Sequence, residues 1–136
     1  MALLTSCGPN QDGPPPEAKH DAVTTIEWIR GEGRAAVAVH NTVQSLLSAE
    51  ITTERCQAAV DALDGTAEPI EVAEMISKVP NADLRAALDE EQGLFQAVVG
   101  DRLQQRLPAP DMDVDQLRTA SDIVTALVQQ LEKQAR

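Results

Sequence analysis

Aromatic residues are nearly missing from this sequence: they make up 1% of the chain, as one tryptophan, one phenylalanine and no tyrosine. A core without aromatic side chains has to be filled by leucine, valine, isoleucine and alanine, and alanine-rich interiors suit closely packed helices better than sheets. The hydrophobic fraction of 43% is ordinary for a globular protein and well above that of a disordered chain. Composition therefore predicts a helical fold, and a length of 136 residues predicts a single domain.

Basic residues are also scarce, because 11 lysines and arginines face 22 aspartates and glutamates, for a formal net charge of −11. Affinity for nucleic acid comes mainly from lysine and arginine on phosphates, so a chain this acidic would be repelled by that polyanion. Anionic lipid headgroups would repel it for the same reason. The charge excludes nucleic-acid binding as a function class and is otherwise explained by solubility.

The sequence lacks any apolar run long enough to span a bilayer, and its two cysteines do not make a disulfide framework. Cys56 falls on the apolar side of a predicted helix, where a cysteine behaves as a small hydrophobic residue. A bridge between Cys7 and Cys56 is the alternative, and it would tie the tail to that helix.

The segment 7–20 is rich in proline, glycine and small polar residues, which bury little apolar surface. It predicts a disordered tail, stiffened at Pro14-Pro15-Pro16 by a preference for the extended polyproline conformation. Residues 1–20 are therefore assigned to the tail, and residues 21–136 to a single helical bundle domain.

The four residues Leu4-Thr5-Ser6-Cys7 resemble the lipobox of bacterial lipoproteins, in which an aliphatic residue and small residues precede a cysteine. The resemblance implies that the Cys7 thiol receives a diacylglyceryl group, that the chain is cut just before Cys7, and that segment 7–20 becomes a membrane tether. Such a signal needs a basic start and an apolar stretch, whereas six residues precede Cys7 here. We therefore expect segment 1–6 to be the remnant of a longer signal; the alternative is a frayed cytoplasmic N-terminus.

The first predicted helix runs from Asp21, as its N-cap, to about Ala49, with Trp28 on its apolar face. Gly31 and Gly33 each weaken a helix by up to about 1 kcal/mol, so a kink is expected between them. The apolar stripe stays in phase across the two glycines, which predicts one bent helix.

Two shorter helices follow the first. Thr52 or Thr53 is expected to cap the second, which Gly65 ends. Pro69 suits the first turn of the third, which Pro80 closes.

Asn81 is expected to cap a long fourth helix that ends at Pro108, and Asp113 with Gln116 forms a capping-box pattern for the last helix. The last helix repeats its apolar residues at a spacing of seven: Leu117, Val124 and Leu131. Together these patterns predict an all-α, four-helix-bundle-like domain of about five helices, three long and two short.

His40 is the first candidate for a functional side chain, because the helical angle places it at the boundary of the apolar stripe. A boundary histidine with a satisfied hydrogen bond is the expected role, and a haem or metal ligand is the alternative. Trp28 is the second candidate, as a possible interaction residue.

The acidic run 89–91 predicts a solvated helix face, with an inward-facing acid pair of Glu74 and Glu91 as the alternative. No motif places the serine, cysteine, histidine and aspartate residues in a catalytic constellation, so the sequence predicts a protein that is not an enzyme and has no cofactor or metal.

Two functions are consistent with these features. The first is a lipid-anchored helical module on the outer face of a bacterial membrane, held by Cys7 and binding an unknown protein or envelope component. The second is a cytoplasmic helical adaptor or oligomeric subunit, associating through the heptad-like last helix.

Overall fold

In the computed structural model, residues 16–64, 69–103 and 111–136 are described, and their regular secondary structure is entirely helical. Six helices lie in these ranges: α1 (Pro16–Arg30), α2 (Arg34–Leu47), α3 (Thr53–Asp64), α4 (Pro69–Ile76), α5 (Ala82–Leu103) and α6 (Asp111–Ala135). The predicted all-helical class is confirmed for these residues. Cys7, Gly65 and Pro108 lie outside them, so the predictions for those positions are not addressed by the structure.

The start of α1 differs from the prediction, because the helix begins at Pro16 rather than after Asp21. Proline is favoured at the first helical position, where its missing N–H would have no intrahelical partner and its fixed φ suits the helix. Asp21 lies inside α1 instead of capping it, and its Oδ2 accepts a hydrogen bond from Asn81 Nδ2 at 2.6 Å. The last five residues assigned to the tail, 16–20, are therefore helical.

The predicted bent helix is two helices joined by a turn at residues 31–33. The amide of Gly33 donates to the carbonyl of Trp28 at 2.8 Å, which spans five residues rather than the four of a regular α-helix. A Cβ atom built on Gly33 would overlap the indole ring of Trp28, so the ring and the backbone approach each other closely here. The chain consequently breaks where the two glycines predicted a kink.

Two predicted caps are confirmed. Asn81 Oδ1 accepts the amide of Leu84 at 2.9 Å in the first turn of α5. Thr52 Oγ1 accepts the amide of Arg55 at 3.2 Å, which identifies Thr52 as the cap of α3. The last helix begins at Asp111, two residues before the predicted cap Asp113.

Helix α6 packs against α5, α1 and α2, so it contributes to most of the interior. Arg30 of α1 contacts Glu132, and His40 of α2 contacts Thr125. Residue numbers rise along α2 from His40 to Ser48 while they fall along α6 from Thr125 to Arg118, so α2 runs antiparallel to α6. The predicted stripe of α6 is confirmed, since Leu117, Val124 and Leu131 are all buried.

The core is aliphatic in every helix, with Phe95 as its buried aromatic side chain among the described residues. Its least exposed apolar residues, at 2% or less, are Ala22, Ala36, Val43, Cys56, Val72, Ile76, Val79, Leu84, Leu88, Val98, Leu117 and Val124.

We expect Gly33→Ala to lower the free energy of unfolding by about 1–3 kcal/mol, because the added methyl group forces the Trp28 ring or the backbone to move. Gly93→Ala is the matched control, since a Cβ there meets no atom within 4 Å in the middle of α5. That change should stabilise the protein by about 0.5–1 kcal/mol. Urea unfolding followed by the fluorescence of Trp28 measures both; equal effects of the two substitutions would contradict the close approach.

Candidate functional site

A charged residue lies in the middle of the buried face of α5. The neighbouring core positions of this helix hold Leu88 and Phe95, and between them Glu91 is 0% exposed. The prediction of a solvated face is therefore wrong for Glu91, although Asp89 and Glu90 are exposed as predicted. Glu74 is exposed on α4, so the alternative of an inward-facing acid pair is also wrong. A buried carboxylate is strongly disfavoured unless it is paired and hydrogen-bonded.

The partner of Glu91 is His40 of α2, which is 8% exposed and thus buried rather than at the boundary. His40 Nδ1 lies 2.7 Å from Glu91 Oε2, at the short end of the range for hydrogen bonds between ionisable groups. The contact joins residues 51 positions apart and connects the second helix to the fifth.

The other ring nitrogen of His40 reaches α6. Its Nε2 lies 3.2 Å from Thr125 Oγ1, and Gln44 Nε2 donates to the same oxygen at 2.6 Å. Thr125 Oγ1 is also 3.1 Å from the carbonyl oxygen of Ser121, one turn earlier in α6. We call His40, Gln44, Glu91 and Thr125 the polar cluster; it links α2, α5 and α6.

The hydrogen bonds of the polar cluster can be arranged in two ways when Glu91 is ionised. If both ring nitrogens of His40 carry protons, Nδ1–H donates to Glu91, Nε2–H donates to Thr125, and the threonine hydroxyl donates to Ser121. If Nδ1 alone carries a proton, the hydroxyl of Thr125 donates to Nε2 instead. Both arrangements keep the bond to Glu91, so His40 is held in one orientation.

Two buried oxygen atoms have no hydrogen-bond partner among the described residues: Glu91 Oε1 and Thr25 Oγ1. Such an atom costs about 1–3 kcal/mol relative to its solvated state. Ser121 and Gln92 are further polar residues buried in this interior. The core is therefore more polar at its centre than the apolar stripes of its helices indicate.

The order Glu91–His40–Thr125 has the residue types of an acid, base and hydroxyl nucleophile. Thr125, however, lies within α6, and the backbone amides around it donate to helix carbonyls, so they cannot stabilise an oxyanion. Its hydroxyl is already shared among His40, Gln44 and Ser121. The contacts of the cluster thus hold three helices together and present no preorganised site for acyl transfer.

His40 also lines a groove of about 330 Å³ between α6, the end of α1 and the first half of α2. The apolar lining comes from Ile29, Val37 and Val128. At one end Arg30 bonds Glu132 at 3.1 Å, through side chains that are 68% and 39% exposed. Because both charged side chains are exposed, this end of the groove is polar. A pair this exposed contributes little stability.

Trp28 and His40, the two residues singled out by the sequence, are not brought together. Trp28 is half-buried, packs on the core and lies against Gly33, and it is not among the described residues that line the groove beside His40. Its role is to fill the bend between α1 and α2.

A second groove, of about 390 Å³, lies between α5 and α6 on another face. Leu94, Ala120 and Ile123 provide its apolar surface, while Glu90 and Asp115 lie at its rim. We call it the α5–α6 groove.

Within the described ranges, no three histidine, cysteine, aspartate or glutamate side chains are grouped so that they could hold a metal ion. None of the helices in those ranges combines the length and apolar character needed to cross a bilayer.

Comparisons with protein family models, with curated proteins and with solved structures find no match for this chain. The site is therefore interpreted from its own geometry.

Sequence reasoning missed Glu91 and Thr125 as partners of His40. The signal for Glu91 was present in the spacing, because position 91 lies three residues after Leu88 and four before Phe95, on the same helix face. A charged residue at a core position predicts a buried partner, and His40 is the histidine outside the segment 1–20 that the sequence assigned to the tail. Thr125 carried no comparable signal, since threonine is common on half-buried helix faces.

We expect His40→Leu alone to cost about 3–5 kcal/mol of stability, because it leaves the Glu91 carboxylate buried without its partner. The double substitution His40→Leu/Glu91→Leu should recover most of that loss, since two apolar side chains replace the pair. Urea unfolding of the two single variants and the double variant gives the coupling energy.

Glu91→Gln serves as the milder variant in the same series, because its amide oxygen can still accept from His40 Nδ1. Strictly additive effects of the two leucine substitutions would show that the 2.7 Å contact carries no coupling.

Proposed function

We propose that this chain is a lipid-anchored helical module on the outer face of a bacterial membrane, which works by binding a protein or an envelope component. The observation that carries the proposal is the position of the first helix. Helix α1 begins at Pro16 and buries Ala22, Ile26 and Ile29, so the bundle starts only nine residues from Cys7, counted from Cys7 to Pro15. A lipobox-like cysteine with a proline- and glycine-rich spacer before a folded domain is the arrangement expected of a tethered lipoprotein.

The length of the spacer fits this purpose. Nine residues span at most about 30 Å when extended, which lets a bundle clear the lipid headgroups while staying near the membrane. Several acyl chains, each stabilised by about 0.8 kcal/mol per buried CH₂, would hold it there firmly. The net charge of −11 keeps the bundle itself away from anionic headgroups.

Binding rather than catalysis is supported by the polar cluster. Its histidine, carboxylate and hydroxyl groups bond one another across three helices, and the groove beside His40 and the α5–α6 groove are open rather than enclosed. We therefore propose that the protein acts through its surface and is not an enzyme.

The packing also supports a four-helix-bundle-like arrangement. In this proposal α1 and α2 form the first long member, α5 and α6 form two more, and the shorter α3 and α4 together replace the fourth. Helices α3 and α4 both contact α2 and α5, as such a shared position requires.

In the alternative of a cytoplasmic adaptor or subunit, the heptad-like repeat of the last helix was the expected means of forming an oligomer. The repeating residues of α6 are buried in the protein's own core, with Leu117 and Val124 at 0% exposure. They are therefore not available for pairing with another chain while the bundle is folded.

The test is expression of the gene with its native upstream DNA in a bacterium that processes lipoproteins. We expect an intact mass that begins at Cys7 and includes added acyl groups, and we expect the protein in the membrane fraction. Cys7→Ala should move it to the soluble fraction, whereas the matched control Cys56→Ala, at a buried position of α3, should leave it membrane-bound. An unmodified mass with unchanged partitioning of Cys7→Ala would contradict the lipid anchor.

A further inference from the structure

A large apolar side chain is exposed to solvent in the α5–α6 groove. Ile123 is 47% exposed and, with Ile70, is one of two large hydrophobic residues described as exposed. Beside it, Ala120 is buried in the groove floor and Leu94 is half-buried on the facing helix. Three neighbouring aliphatic side chains from two helices thus form a concave apolar strip.

The rim of this strip is acidic. Glu90 lies on the α5 side and Asp115 on the α6 side, and both are exposed. The ion pairs among the described residues join Arg30 to Glu132 and His40 to Glu91, so neither rim carboxylate forms an ion pair with a described basic residue. The groove therefore combines an apolar floor with negative charge on both sides.

We propose that the α5–α6 groove binds a basic, amphipathic segment of a partner protein, whose aliphatic side chains cover Leu94 and Ile123 while its lysines or arginines face Glu90 and Asp115. This names the partner surface of the binding module and rests on the binding function proposed above. Apolar anchors supply the affinity of such a contact, and the charges supply its orientation and its dependence on salt.

Electrostatics favour a basic protein segment in this groove over two other occupants. A second copy of the chain, at net charge −11, would bring the same acidic rim against the first, and like charges facing each other oppose association. An anionic lipid surface would meet the rim with charge of the same sign. A cationic protein segment is the partner for which both the floor and the rim are favourable.

The experiment uses the full 136-residue chain, produced without lipid, so that its outcome is independent of the anchor at Cys7. The probe is a short helical peptide of leucine and lysine with all leucines on one face, compared with the same peptide carrying glutamate in place of lysine. Binding is measured by titration, and its position is mapped by backbone amide chemical shifts.

We expect the lysine peptide to bind, with its largest shifts at Leu94, Thr119 and Ile123, and the glutamate peptide not to bind. Ile123→Asp should weaken binding by about tenfold or more, because it removes the apolar anchor. The same substitution adds negative charge, which would strengthen a purely electrostatic contact with the lysine peptide. Ile70→Asp is the matched control: it adds the same charge to an exposed isoleucine on α4 and should leave the affinity within about twofold.

Three results would overturn the proposal. The first is equal or tighter binding to the Ile123→Asp variant with its helical circular dichroism intact, and the second is a set of shifts away from the groove. The third is self-association of the unaltered chain that Ile123→Asp abolishes, which would assign the groove to a second copy. Because Cys7 takes no part, failure here leaves the lipid anchor standing, and loss of the anchor leaves this result unchanged.

Discussion

The bond between His40 and Glu91 constrains the rest of the interior. A carboxylate at 0% exposure has to find a partner within hydrogen-bonding distance, and the 2.7 Å contact fixes the register of α2 against α5. The same imidazole then sets the position of α6 through Thr125. Aliphatic packing alone tolerates small shifts of one helix along another, whereas a buried pair with a defined geometry does not.

The bend between α1 and α2 determines which helices each of them contacts. With Gly33 against the Trp28 ring, the chain turns between α1 and α2, so α1 packs along α6 while α2 also contacts α3, α4 and α5. A larger residue at position 33 would overlap that ring. The close contact between Gly33 and Trp28 thus lets two consecutive helices pack against different neighbours.

The sequence was sufficient for the features that depend on local periodicity. Helix class, the caps Asn81 and Thr52 and the buried stripe of α6 all follow from residues within a few turns of one another. Glu91 was misplaced because acidic runs are usually solvated, and its true environment depends on a histidine 51 positions away. The start at Pro16 was missed because proline was interpreted as a tail residue, although it is also a favoured first residue of a helix.

The partners of α6 have a consequence for the order in which the fold is assembled. As the chain emerges during synthesis, α1 comes first, but the helix that it packs along most extensively is the last one described. The part of the apolar face of α1 that packs on α6 therefore stays uncovered until about a hundred more residues have been added, counting from Arg30 to Glu132. Such distant pairing slows folding, since a long loop has to close before the contact forms. The core of the bundle therefore cannot close until the residues of α6 have been synthesised.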